Sequence, residues 1–188
     1  ISKDSLMDLA NLLAEKSFQM NTHAIGDAAN RLVLEVYNQV LRTKEDPRWR
    51  IEHAQLIAPE DFPRFNAKII PSVQPIHAVS DMGWAIDRLG NERIKGAYAY
   101  KDLLDWSGIV VLGTDFPVED INPFKTFYAA VARKVPGDQF SKAFQPRNAL
   151  SRYEALLGLT RWAAYANFED NEKGSIEVGK FADFIILD

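Results

Sequence analysis

Three polar residues stand where short apolar runs end: His23 after Phe18-Gln-Met-Asn-Thr22, His53 after Arg50-Ile-Glu52, and Asp115 after Ile109-Val-Val-Leu-Gly-Thr114. Each run reads as a buried strand followed by a helix or a loop. Two imidazoles and a carboxylate delivered from successive strand ends suit a divalent metal, with His nitrogen and Asp oxygen as ligands. In a parallel α/β barrel the C-terminal strand ends are where chemistry is done. One histidine at a strand end is ordinarily a hydrogen-bonded structural residue. Three such positions in one order point to a site.

The elements that must carry these residues follow from periodicity. Leu6, Leu9, Ala10 and Leu13 recur at helical spacing, predicting an amphipathic helix over about residues 4–16. After the strand Phe18–Thr22, Gly26-Asp27 opens a second helix with Asp27 as its N-cap. Asp46-Pro47 breaks the chain before the strand Arg50–His53, and Pro59 with two acids starts another helix. Lys68–Val73 reads as a third strand, ending in Gln74-Pro75-Ile76-His77. Residues 78–100 read as short helix and loop, Lys101–Trp106 as a helix, and Ile109–Gly113 as the fourth strand. Strands separated by helices imply right-handed βαβ units and a parallel sheet.

Beyond Asp115 the pattern changes. Asn122–Arg133 reads as a helix, and Ser151-Arg-Tyr-Glu154 has capping-box spacing. The helix it starts is expected to bury Leu156, Leu159, Trp162 and Ala163. Residues 174–187 read as two short strands about a Gly turn.

Composition narrows the function classes. The chain has 188 residues, 47% hydrophobic and 26% charged, with a net charge of −4. No Lys/Arg stripe forms, so neither nucleic acid nor an anionic membrane is an expected partner. Cysteine is absent, which excludes a disulfide framework, thiolate ligands and a Cys nucleophile, and fits a cytoplasmic location. No apolar stretch approaches the ~20 residues that span a bilayer. Both ends look cut, since the chain begins at Ile1 and stops just after Phe184-Ile-Ile-Leu187. A piece of a longer protein is therefore expected.

Five segments in order, His23-Ala-Ile-Gly-Asp27, Ile51-Glu-His-Ala54, Ser72-Val-Gln-Pro-Ile-His77, Leu112-Gly-Thr-Asp-Phe-Pro-Val118 and Gly174-Ser-Ile-Glu-Val-Gly-Lys-Phe-Ala-Asp183, resemble the second half of an amidohydrolase-superfamily metal hydrolase. The branch is similar to amidohydrolase family 3, which includes N-substituted formamide deformylase-type enzymes. The resemblance implies an α/β fold: the C-terminal half of a TIM-type (β/α)8 barrel, four parallel strands with flanking helices. Residues 1–170 would supply strands five to eight and their helices. Residues 171–188 would be a short extended segment from a small β-sandwich.

The resemblance also implies roles. His23 and His53 would bind metal at the ends of the fifth and sixth strands, and Asp115 would end the eighth as both ligand and proton carrier. The cofactor would be one or two divalent ions, zinc by preference, acting on a small-molecule amide with a non-peptide C–N bond. His77 either contacts substrate or is a loop histidine held by a backbone carbonyl. Glu52 is expected in an ion pair on the other strand face, Asp27 in a helix cap, and Trp84 and Trp106 in the core, with a pocket wall as the alternative for the two tryptophans. The family's first-strand His-x-His is absent, since the only histidines are His23, His53 and His77, and so is its fourth-strand bridging residue, commonly a carboxylated lysine. Metal binding by these 188 residues is therefore expected to be weak or absent, and the chain alone inactive and prone to self-association. The alternatives are an ester or cyclic-amide hydrolase, or a catalytically incomplete half-barrel that serves only as an association module.

Overall fold

An apolar strand flanked by helices is stable only when its backbone groups pair with neighbours and its faces are covered. The computed structural model, which describes residues 1–138 and 140–186, forms one four-stranded parallel sheet in sequence order, its inner strands paired on both sides and its first and last strands forming the edges. The strands are β1 (Asn21–Ala24), β2 (Trp49–His53), β3 (Ile69–Val73) and β4 (Val111–Leu112). Thr22 lies opposite Ile51, Ile51 opposite Pro71, and Val73 opposite Leu112.

Helices fill the connections and the tail: α1 (Lys3–Glu15), α2 (Asp27–Val40), α3 (Pro75–Ser80), α4 (Ala85–Arg93), α5 (Tyr100–Ser107), α6 (Pro123–Ala132), α7 (Arg152–Leu159) and α8 (Arg161–Ala166). A left-handed Gly90 interrupts α4, and the Pro59–Arg64 segment is a 3-10 helix. Among the described residues no helix is long and apolar enough to cross a membrane.

Strand alternation divides the sheet into two faces. Trp49 and Ile51 of β2, Ile69 and Val73 of β3, and Leu112 of β4 join the main core with residues of α1, α2 and α5. Ile70 of β3 and Val111 of β4 instead pack with Ala166, Trp162 and Tyr165 of α8. Trp49 anchors the main core: its ring meets Tyr37 edge-on at 4.8 Å, and its indole N–H donates to the Phe18 carbonyl at 3.1 Å.

Several expectations are corrected. The first strand begins at Asn21 rather than Phe18, because the Phe18 carbonyl accepts from the Trp49 indole; the Gln19 side-chain amide donates to the carbonyls of Arg48 and Ala166. Gly26, not Asp27, is the N-cap of α2; the Asp27 carboxylate accepts from the Ala28 N–H and from Arg93. The last expected helix is two, broken at Thr160 (φ −125°, ψ −89°), and Leu156 faces outward. Small residues take its place, since a Cβ on Gly158 would lie 2.9 Å from the Val110 carbonyl oxygen and 2.6 Å from Leu112. Ser151 and Glu154 do form the capping box.

No strand forms among the described residues of 174–186; the Phe181 N–H bonds to the Glu172 carbonyl, and no second strand lies alongside. Leu187, the last residue of that expected pair, lies outside the described residues. Trp84 and Trp106 are half exposed rather than core.

One contact fixes the far side of the sheet. Arg48, just before β2, donates to Asp46, to the Tyr165 carbonyl and to Asp170. Its guanidinium lies 3.7 Å from the Tyr165 ring centroid and 4.6 Å from that of Phe168. Hydrogen bonding to Asp46 is the main cause that raises its pKa, so it is held as a cation.

Candidate metal centre

Each sequence-derived site residue lies at the C-terminal edge of the sheet or directly after it. His23 is the third residue of β1, with Glu52 opposite, and His53 closes β2. Asp115 follows β4 by three residues. His77 lies two residues into α3, which Pro75 starts; it is therefore not a loop histidine, and carboxylates rather than a backbone carbonyl hold its ring.

Backbone conformation aims these side chains. His53, Ala54 and Asp115 have φ of 72°, 42° and 59°. The left-handed region costs a non-glycine residue roughly 1–3 kcal/mol and is concentrated at functional sites. Turning the chain sharply where β2 and β4 end directs His53 and Asp115 toward one point instead of along the strand. Strain at two converging side chains is what a site needs and what a mere connection does not.

The convergence is tight. One donor atom each from His53, His77 and Asp115 lies within 4.8 Å of the others. The His23 ring sits beside this group, edge-on to His53 with centroids 4.5 Å apart, and the His53 and His77 rings are 5.7 Å apart. His53 is buried, and its Nδ1 has no hydrogen-bond partner. Burial first, and then the neighbouring His23, lowers the His53 pKa below its ordinary value. A neutral imidazole with an unclaimed buried nitrogen is the form a metal ligand requires. Two imidazoles and a carboxylate, with a third imidazole alongside, thus fit a borderline divalent ion such as zinc.

A hydrogen-bonded chain leads away from this group. His77 Nε2 lies 3.0 Å from Asp115 Oδ2, and His77 Nδ1 lies 3.0 Å from Glu119 Oε1. The Ser80 hydroxyl donates to the same Glu119 oxygen at 2.6 Å. Glu119 and Ser80 are not among the residues singled out from the sequence. The available signal was spacing: Glu119 follows Asp115 by four residues, and a turn closed by the Val118 N–H on the Asp115 carbonyl brings both carboxylates to one side. Glu52 forms its expected ion pair, with Arg50 at 2.9 Å.

Comparisons with known proteins place the chain among metal-dependent hydrolases of one family. The sequence pattern of the amidohydrolase family matches residues 1–188. The protein LONG AFTER FAR-RED 3 of Arabidopsis thaliana is 41% identical over 181 residues, covering 94% of this chain and 31% of that protein. N-substituted formamide deformylase of Arthrobacter pascens is 28% identical over 190 residues, covering 100% of this chain and 34% of that enzyme. Among solved structures, an uncharacterized metal-dependent hydrolase from Pyrococcus furiosus superposes with a TM-score of 0.84 at 30% identity, over 100% of this chain and 37% of that one. The chain spans about a third of the length of the curated relatives it matches.

Proposed function

Because the chain belongs to the amidohydrolase family, we propose that it works as part of a larger metal-dependent hydrolase, supplying strands five to eight of its barrel and cleaving a non-peptide amide C–N bond. The observation that carries this reading is the convergence of His53, His77 and Asp115 at the C-terminal edge of a parallel sheet. The amide preference is supported by the name of the Arthrobacter relative, an N-substituted formamide deformylase.

His53, His77 and Asp115 would hold the ion, with His23 as the adjoining donor. The chemistry such an ion supplies when bound is to lower the pKa of water to roughly 7 and to polarise a carbonyl. Asp115 would accept a proton at its carboxylate and return it to the leaving nitrogen, as a general acid–base group. His53 and His23 stand as donors on the β1–β2 side, and burial lowers the His53 pKa. Phe116 and Val118, exposed on the turn that follows Asp115, offer an apolar wall to the group on the substrate nitrogen.

Titrating the purified chain with zinc in a calorimeter tests the donor set. One ion per chain is expected, bound weakly in the micromolar range, because the family's first-strand histidine pair is not part of this sequence. His53→Ala should abolish the signal, and the half-exposed Trp106→Ala should leave it unchanged. Binding that survives His53→Ala would refute the donor set. Substrate class is tested in the larger protein by screening N-substituted formamides, cyclic amides and esters for metal-dependent turnover. The 188 residues alone should show none.

A second reading, self-association, is favoured by one observation: Phe181, Phe184, Ile185 and Ile186 are exposed together in a segment without helix or strand. Contiguous exposed apolar surface promotes burial against a partner. Light scattering on the chain at rising concentration should report a mass above the monomer's. A constant monomer mass at high micromolar concentration would exclude it.

A further inference from the structure

Three non-glycine residues in two facing segments share a left-handed backbone: His53 and Ala54 at the exit of β2, and Tyr98 (φ 51°) ahead of α5. Such conformations persist only where the surroundings over-determine them. Here the two segments restrain each other. The Ile57 N–H donates to the Gly96 carbonyl at 2.9 Å and the Tyr98 N–H to the Gln55 carbonyl at 2.7 Å, with Leu56 bridged to Ala97 between them. The approach is so close that a Cβ on Gly96 would lie 2.0 Å from the Ile57 carbonyl oxygen.

From this ribbon the Tyr98 side chain reaches a third segment. Its hydroxyl donates to Asp81 Oδ2 at 2.7 Å and accepts from Gln55 Nε2 at 3.2 Å. Tyr98 is 2% exposed. Burial first, and then Asp81 beside it, raises the phenol pKa, so the hydroxyl keeps the hydrogen that it donates. Asp81 caps α3, and its N–H donates to the His77 carbonyl at 2.9 Å. Gln55 lies two residues past His53. One buried hydroxyl thus joins the turn that aims His53 to the helix that presents His77. We infer that Tyr98 is a positioning residue: acting through Gln55 and Asp81, it sets the spacing at which the His53 and His77 side chains meet. A hydrogen bond to a carboxylate is among the stronger kinds, which suits a tie between segments that carry strained backbone. The use of that spacing for a metal rests on the function proposed above; the tie itself does not.

NMR of the metal-free chain tests it, with the ring signals of His53 and His77 assigned by their loss in His53→Ala and His77→Gln. Tyr98→Phe keeps the buried ring and removes only the oxygen. Amide exchange at position 98 and at Ile57 should quicken by about tenfold or more. Both ring signals should shift, while the Trp49 indole signal, in the main core, keeps its place. Asp81→Ala should reproduce these changes, and Asp81→Asn, whose carbonyl still accepts from the hydroxyl, should restore the native spectrum. Tyr98→Phe combined with Asp81→Ala should be no worse than either alone, because both remove the same bond. Native His53 and His77 signals in Tyr98→Phe would overturn the inference. So would an equal shift of the Trp49 indole, which marks general loosening, or an Asp81→Asn spectrum like that of Asp81→Ala. A zinc titration supplies the second readout: Tyr98→Phe should weaken binding by about 2–30-fold, and an untouched affinity would refute the positioning role. Failure of the unaltered chain to bind zinc, with both ring signals moving as expected, would instead refute the donor set proposed for the metal and leave the role of Tyr98 standing.

Discussion

Asp115→Asn is expected to cut hydrolysis by the larger protein by about 10²–10⁴-fold, the range associated with losing a positioned general acid–base group. The substitution is nearly isosteric, so the left-handed backbone at this residue (φ 59°) is retained, asparagine being tolerant of that conformation. What is lost is the anionic oxygen facing His77 Nε2 at 3.0 Å. Asparagine still offers a carbonyl oxygen but cannot take up a proton and return it. The fall should appear mainly in kcat, because proton transfer belongs to the reaction step rather than to substrate capture. Measuring kcat and KM with zinc in excess separates this from loss of metal. A variant that keeps more than roughly a tenth of the parent rate would remove Asp115 from the acid–base role.

The largest effect on stability should come from Trp49→Ala, at about 3–5 kcal/mol. Trp49 is 1% exposed and packs against Tyr37, and its indole N–H takes the Phe18 carbonyl. Truncation opens a cavity between β2 and α2 and strands that carbonyl as well, two costs that add. Trp106→Ala is the control: at 52% exposure it should change stability by no more than about 0.5 kcal/mol. Urea unfolding followed by circular dichroism gives both values. Equal midpoints for the two variants would mean that Trp49 is not the anchor of the main core.

The parallel sheet was legible because each buried strand is a short apolar run bounded by turn residues, and because helical periodicity fills the spaces between runs. Strand limits were less so. Whether Phe18 joins the ladder depends on Trp49, which competes for its carbonyl from 31 residues away. The split between α7 and α8 was hidden for a related reason: hydrophobic spacing favours Leu156 as the buried residue, whereas close approach to β4 requires Gly158.

At the site, strand-end position exposed His23, His53 and Asp115, and the resemblance ordered them. Glu119 was invisible to that reasoning because its partner His77 is 42 residues earlier and on a different element. From its flanks alone His77 reads as a loop residue. Pro75, in the first turn of a short helix, was the residue that argued otherwise.

Arg48 has a practical consequence. It precedes β2 and His53 closes it, so at ~3.3 Å per residue the two are separated by about 16 Å along the strand. Asp170 and the rings of Tyr165 and Phe168 are clamped at the Arg48 end, opposite the converging donors. A probe attached at Asp170 itself therefore sits at the far pole and leaves the converging donors uncovered.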